Sequence, residues 1–200
     1  MSNWLKQLII NPRAIGAISP SSSSLANLMT KSINSDDRIL ELGPGTGSIT
    51  RSLIKRLSNP ASQLTLVEID PFMAKTCRAI FPQIELIEDD ALRVLKMSDK
   101  KYNTIISGIP FAILQKKIRL QLFAEIAKHL KPDGTFIMFQ YSVLTRHELK
   151  NYFNEVTTKY TPFNLPPAFV FVAKNKIDKL SSINNAQTNT TIDNDQTNRE

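Results

Sequence analysis

The chain has 200 residues, 42% of them hydrophobic and 22% charged, a size that suits one globular domain and is too short for two substantial ones. Its single cysteine, Cys77, excludes an internal disulfide and a cysteine-built zinc site, and with only His129 and His147 as imidazole ligands no metal centre is expected. The formal net charge is +7, and residues 1–180 alone carry +9 because the last twenty are net acidic, so the folded part should attract polyanions, nucleic acid or an anionic membrane surface.

In chain order, Trp4, Leu5, Leu8 and Ile9 share one helical face beside Lys6 and Arg13. That face either packs on the domain or lies in a membrane interface. The apolar run is too short for a signal peptide, and no stretch reaches the roughly 20 apolar residues of a membrane span. Ser21–Ser24 before Leu25 and Ala26 reads as a capped helix start. From Arg38 onward, apolar runs alternate with helix-like stretches. The runs are 38–42, 64–69, 84–87, 102–107 and 135–141; the helical stretches are 48–57, 72–81 and 113–130. This alternation predicts βαβ units. The turn Lys131-Pro132-Asp133-Gly134 enters the fifth strand, with the glycine free for a positive φ. A last strand, 168–173, suits an antiparallel edge. His129 and His147 read as surface helix residues and Cys77 as a packing residue of the second helix. Residues 181–200 are poor in apolar side chains and read as a disordered tail.

Six glycines serve the whole chain, and three of them, Gly43, Gly45 and Gly47, fall within five residues directly after a strand pattern. Gly-x-Gly-x-Gly is neither a dinucleotide fingerprint nor a phosphate-binding loop, which points to a nucleoside ligand without a pyrophosphate. Glu68 closes the next strand, 21 residues after Gly47, where a doubly wound sheet holds ribose hydroxyls. Asp70, two residues on, points the same way on a strand and could exchange with it. After the third strand, Asp90 could accept from an adenine amine while the Ala91 backbone contacts the ring edge.

These elements, in this order, resemble the class I S-adenosylmethionine-dependent methyltransferases. The resemblance implies a single Rossmann-like α/β domain: a mainly parallel seven-stranded sheet with an antiparallel edge strand and helices on both faces. It also implies S-adenosylmethionine as cofactor, with S-adenosylhomocysteine as product and no metal. Glu41, Gly43, Gly45, Thr46 and Gly47 would surround the methionine part, Glu68 and Ile69 the ribose, and Asp90 and Ala91 the adenine. Ser19 and Ser21 either close over the cofactor or cap the following helix.

After the fourth strand, Ser107-Gly108-Ile109-Pro110-Phe111 is similar to the acceptor motif of the ribosomal-RNA adenine dimethyltransferases, with Gly108 at the position of their amine-orienting Asn. That departure argues against nucleic acid as a partner. It instead resembles the Ser-Gly-Leu-Pro motif of the bacterial phospholipid N-methyltransferases. Residues 16–29, Phe139-Gln140-Tyr141 and Asn164-Leu165-Pro166-Pro167-Ala168 resemble that family's flanking motifs.

This second resemblance implies methylation of an aminophospholipid amine, phosphatidylethanolamine first, by a cytoplasmic protein held peripherally on the inner face of the membrane. Its organisation would be an N-terminal helical segment at 1–33 serving as surface anchor and lid, the catalytic domain at 34–178 and a tail at 179–200. Ser107, Gly108, Pro110 and Tyr141 would form the acceptor site, Tyr141 either orienting the amine or being a half-buried strand aromatic. Lys6, Arg13, Lys116, Lys117 and Arg119 would meet anionic lipid. The rival readings are an RNA or small-molecule N-methyltransferase, and a cofactor-binding module without activity. Oligomeric state is not legible.

Overall fold

The computed structural model describes residues 20–143, 145–162 and 167–174, with side chains from Ser23 onward. The N-terminal Trp4 face, Ser19, the Ser21 side chain, Asn164-Leu165-Pro166 and the tail lie outside the described residues.

In order come α1 (Pro20–Thr30), β1 (Ile39–Leu42), α2 (Ser48–Ile54), α3 (Pro60–Gln63), β2 (Leu64–Glu68), α4 (Pro71–Ile80), β3 (Glu85–Glu88) and α5 (Ala91–Lys96). Then follow β4 (Tyr102–Ser107), a 3-10 turn (Phe111–Ile113), α6 (Lys116–His129), β5 (Leu130–Gln140), α7 (Arg146–Leu149), β6 (Glu155–Thr161) and β7 (Ala168–Lys174). The seven strands form one sheet in the order β3-β2-β1-β4-β5-β7-β6. The first five run parallel, and β7 pairs antiparallel with both β5 and β6.

Strand alternation decides which helices cover which face. Leu40, Leu42, Ile105, Phe136 and Met138 point to one side and pack against Leu92 and Leu95 of α5 and Leu122, Phe123 and Ile126 of α6. Ile39, Leu66, Ile106 and Ile137 point to the other and meet Leu25 and Met29 of α1, Leu53 of α2 and Cys77 of α4. Both faces are therefore dry, the condition under which central parallel strands consist of continuous apolar runs. Within the described residues α1 belongs to this same core.

Four details differ from expectation. The last strand is antiparallel but lies one place in from the edge, which β6 occupies. The expected helix 113–130 is broken at Leu114-Gln115, with the 3-10 turn before the break and α6 after it. At the entrance to β5, Asp133 takes the positive φ of 62°, not Gly134. Gly134 is instead required by space, because a Cβ there would meet the Lys131 carbonyl oxygen at 2.8 Å. Finally, His129 is buried, its ring nitrogens bonded to the carbonyls of Glu125 and Ser98, both at 2.7 Å. It ties the end of α6 to the loop after α5, whereas His147 is exposed on α7 as expected.

Candidate cofactor and acceptor site

The carboxyl ends of β1, β2, β3 and β4 open onto a cleft of about 380 Å³, the place where doubly wound sheets bind ligands. Gly43 and Gly45 form its floor; Glu68, Ile69, Asp90 and Ala91 line one side, and Gly108, Ile109 and Pro110 the other. Thr46, Gly47, Ser107, Glu41 and Tyr141 lie outside that lining.

The turn after β1 is strongly left-handed, with φ of 70°, 55° and 76° at Gly43, Gly45 and Gly47. At Gly45 a Cβ would meet nothing within 4 Å, so the space it leaves belongs to the cleft and not to the protein core. From below, the buried Cys77 thiol donates to the Gly45 carbonyl at 3.2 Å. Burial, with Glu41 and Glu68 nearby, pushes that thiol's pKa up to about 11, so it is an inert donor that braces the turn.

Glu68 is buried and already organised. Its Oε2 accepts from the Gly45 amide at 3.1 Å and its Oε1 from the Asp70 amide at 3.0 Å. Each oxygen retains a lone pair, enough for two vicinal hydroxyls. Asp70 borders the cleft too, and its Oδ1 caps α4 by accepting from Phe72 and Met73 amides at 2.9 and 3.0 Å. Of the two acids, Glu68 is the one joined to the glycine turn. Asp90 likewise caps α5 through Oδ1, accepting from the Arg93 amide at 2.9 Å, while it also borders the cleft.

Glu41 lies on the face covered by α1, α2 and α4, fully buried. Its Oε2 accepts from the Thr50 hydroxyl at 2.8 Å, and its Oε1 has no hydrogen-bond partner among the described residues. Burial, with the Glu68 charge adding to it, raises its pKa to about 8 against the lowering effect of Thr50. A buried carboxyl with an orphaned oxygen, two positions before the turn, is the chemistry that suits a cationic amino acid end. Together with the Glu68 carboxylate and the open face of Gly45, the donor set fits S-adenosylmethionine.

Comparison with known proteins agrees. Residues 39–134 match the family described as "Methyltransferase domain". The chain carries a class I methyltransferase domain, and its methyl donor is S-adenosylmethionine. A relative described as ornithine lipid N-methyltransferase, from Singulisphaera acidiphila, is 27% identical over 171 residues, covering 80% of this chain and 88% of the relative. A ribosomal RNA small subunit methyltransferase A from Chlorobium phaeobacteroides is 39% identical over 115 residues, covering 56% of this chain and 40% of the relative, so the domain spans less than half of that protein. In fold it is similar to the N-methyltransferase NodS of Bradyrhizobium japonicum, solved with S-adenosyl-l-homocysteine, at a TM-score of 0.65 and 15% identity over 87% of this chain and 97% of the other.

The cleft wall after β4 is built around Phe111, fully buried and stacked on Phe123 with ring centroids 4.9 Å apart. The loop from Ser107 to Leu114 is thereby rooted in the core. Ser107 serves this loop, not the cleft surface: its buried hydroxyl donates to the Leu42 carbonyl at 3.3 Å and accepts from the Ile109 amide at 3.1 Å. Tyr141 is partly buried just past β5, its ring edge-on to Phe139 at 5.8 Å. Arg119, expected as a lipid contact, is committed to structure. Its guanidinium forks onto Glu148 at 2.5 and 2.7 Å and donates to the Leu114 carbonyl at 3.0 Å. Sequence reasoning assigned no role to Gln140 or Glu148. The local signals were the Phe139-Gln140-Tyr141 motif and Gln140 itself, a polar residue closing an apolar strand.

Proposed function

We propose that this methyltransferase acts on the primary amine of an aminolipid headgroup, phosphatidylethanolamine or an ornithine lipid, at an anionic membrane surface. The observation that carries this reading is the composition of the acceptor wall. Gly108, Ile109, Pro110, Leu114, Ile118 and Leu122 line the cleft beyond the cofactor turn, and none supplies a side-chain amide to read a nucleobase edge. An apolar wall with a bare backbone suits a small amine carried on an apolar body. The bound cofactor supplies an electrophilic methyl group. The protein's share is to align the amine with it and exclude water, and such alignment can be worth roughly 10⁵ M or more in effective concentration. The likeness to a lipid N-methyltransferase over most of both chains supports the same substrate class. A ribosomal-RNA acceptor is the second reading, favoured by the 39% identical relative and weakened by Gly108.

A basic corner beside the acceptor loop supports the membrane part of the proposal. Lys116 and Lys117 open α6, and Arg146, His147 and Lys150 cluster on and after α7. The acid among them, Glu148, is neutralised by Arg119, and the pair together with Lys116 and His147 keeps its carboxyl below the usual range. Ile113 and Val143, three residues before Lys116 and Arg146 in the chain, are exposed.

The deciding test is expression in a host that lacks methylated lipids, followed by mass spectrometry of lipid extracts. Mono-, di- or trimethylated phosphatidylethanolamine or ornithine lipid is expected, and absent with Gly45→Val; no methylated lipid from the unmodified protein overturns the reading. For the membrane part, reversing Lys116, Lys117 and Lys150 to Glu is expected to weaken vesicle co-sedimentation by at least roughly fivefold per charge in anionic vesicles. The difference should shrink in high salt, and equal sedimentation would remove this corner from the interface.

A further inference from the structure

Gln140 is the last residue of β5, its backbone paired with Phe169 of β7 and the residue as a whole 3% exposed. The carboxamide is spent wholly on the loop after β4. Its Oε1 accepts from the Ala112 amide at 3.1 Å, and its Nε2 donates to the Ile109 carbonyl at 3.1 Å. One side chain thus acts as a neighbouring peptide group would, offering an acceptor and a donor to two backbone groups three residues apart. On its far flank the same loop is held by Arg119, through the Phe111 and Leu114 carbonyls at 3.4 and 3.0 Å. On its near flank Ile109 abuts the cofactor turn: a Cβ on Gly43 would meet Ile109 Cγ1 at 3.1 Å. Contacts therefore run without a break from Gln140 through Ile109 to Gly43.

We infer that Gln140 is a positioning residue that sets the gap between the Ser107–Pro110 wall and the glycine turn, and through it the approach of the acceptor amine to the methyl donor. The inference rests on the reading of that wall as the acceptor side. The loop has no strand partner of its own beyond Gly108; without the carboxamide the Ala112 amide is left to water or to nothing, and the Ile109 carbonyl keeps only the Phe111 amide at 2.9 Å. Transfer is sensitive to such a shift, because a misplacement of about 1 Å can cost on the order of 100-fold in rate.

Two variants test it. Gln140→Met keeps the volume and removes both hydrogen bonds. Amide hydrogen exchange over residues 107–114 should rise, and kcat on aminolipid in detergent micelles should fall by roughly tenfold or more. Affinity for S-adenosylhomocysteine should stay within about threefold of wild type, since Glu68 and the glycine turn are held independently. Gln140→Glu supplies a readout that a purely structural role does not move. Protonated, its carboxyl can still donate to the Ile109 carbonyl; ionised, it cannot, and it repels that oxygen. The ratio of variant to wild-type turnover should therefore fall as pH rises. The charged pair facing the loop from α6 and α7, Arg119 and Glu148, holds its charges across that range, with Glu148 lowered and Arg119 raised by their mutual bond; Tyr141 is the neighbour along the chain. Unchanged exchange at 107–114, or a turnover ratio flat with pH, overturns the inference. A wild-type protein inactive on aminolipid overturns the lipid reading instead, and the exchange result still decides the role of Gln140 in the loop.

Discussion

Gly108→Ala is expected to weaken S-adenosylhomocysteine binding by roughly 5- to 150-fold, the equivalent of about 1–3 kcal/mol of overpacking. A Cβ at position 108 would lie 2.5 Å from the Gly43 carbonyl oxygen, well inside contact distance and against backbone, not a flexible side chain. Neither partner has room to give. The Gly43 amide donates to the Val67 carbonyl at 2.8 Å, the Gly108 amide donates to the Leu42 carbonyl at 2.9 Å, and Leu42 is in register with Ser107. Relief must come from moving the Gly43 carbonyl, and with it the turn that receives the cofactor. Gly108→Asn, which restores the residue of the RNA-enzyme motif, should lose at least as much affinity and gain no activity on adenine. Calorimetry checks both. Affinities within twofold of wild type would mean that the two backbones can part freely and that the steric account is wrong.

The same contact changes what Gly108 means. Read as sequence, its missing side chain selects against a nucleobase acceptor. In the fold it is also the residue that lets β1 and β4 end side by side at the cleft, a demand of backbone spacing whatever the acceptor is. Both readings point to glycine, and only the second follows from distances.

The central parallel strands are legible because burial on both faces keeps them mainly apolar: all residues of β1 and β2 are buried, and β4 spans the expected 102–107. β6 escapes for the opposite reason. As the edge strand it buries only Val156 and Thr161 and exposes Glu155, Thr157, Thr158, Lys159 and Tyr160, so it resembles a polar loop. Its β-branched Val and Thr residues were the available signal. α5 is hidden by a double use of one residue, since Asp90 reads as a ligand acid and is also the cap of a six-residue helix. At the site, Glu68 is legible from spacing alone. The duties of Gln140, Arg119 and His129 are not, because each is defined by backbone groups that only the fold brings near; Gln140 reaches back 28 and 31 residues.

Glu41 carries the second large prediction, a stability that depends on pH. In the unfolded chain its carboxyl has an ordinary value near 4.5, while burial in the free protein holds its proton up to about pH 8. Between these values the unfolded chain releases a proton that the folded chain keeps, so rising pH favours unfolding. The stability associated with neutral Glu41 is therefore complete below about pH 4.5, declines above it and is gone once pH passes about 8. Glu41→Gln keeps the shape and an acceptor for the Thr50 hydroxyl but has no proton to lose. Its melting temperature should exceed that of the wild type by roughly 5 °C near pH 8.5, the gap closing towards pH 5. Binding reverses the balance. A cationic amino acid end beside the orphaned oxygen favours the carboxylate, so S-adenosylhomocysteine should drive proton release by the wild type near neutral pH and stabilise it more than the variant. Calorimetry in buffers of different ionisation enthalpy reads that proton directly. Parallel melting profiles across pH, with no difference in proton release, would show that Glu41 is already ionised in the free protein and that its burial is offset by a partner beyond Thr50.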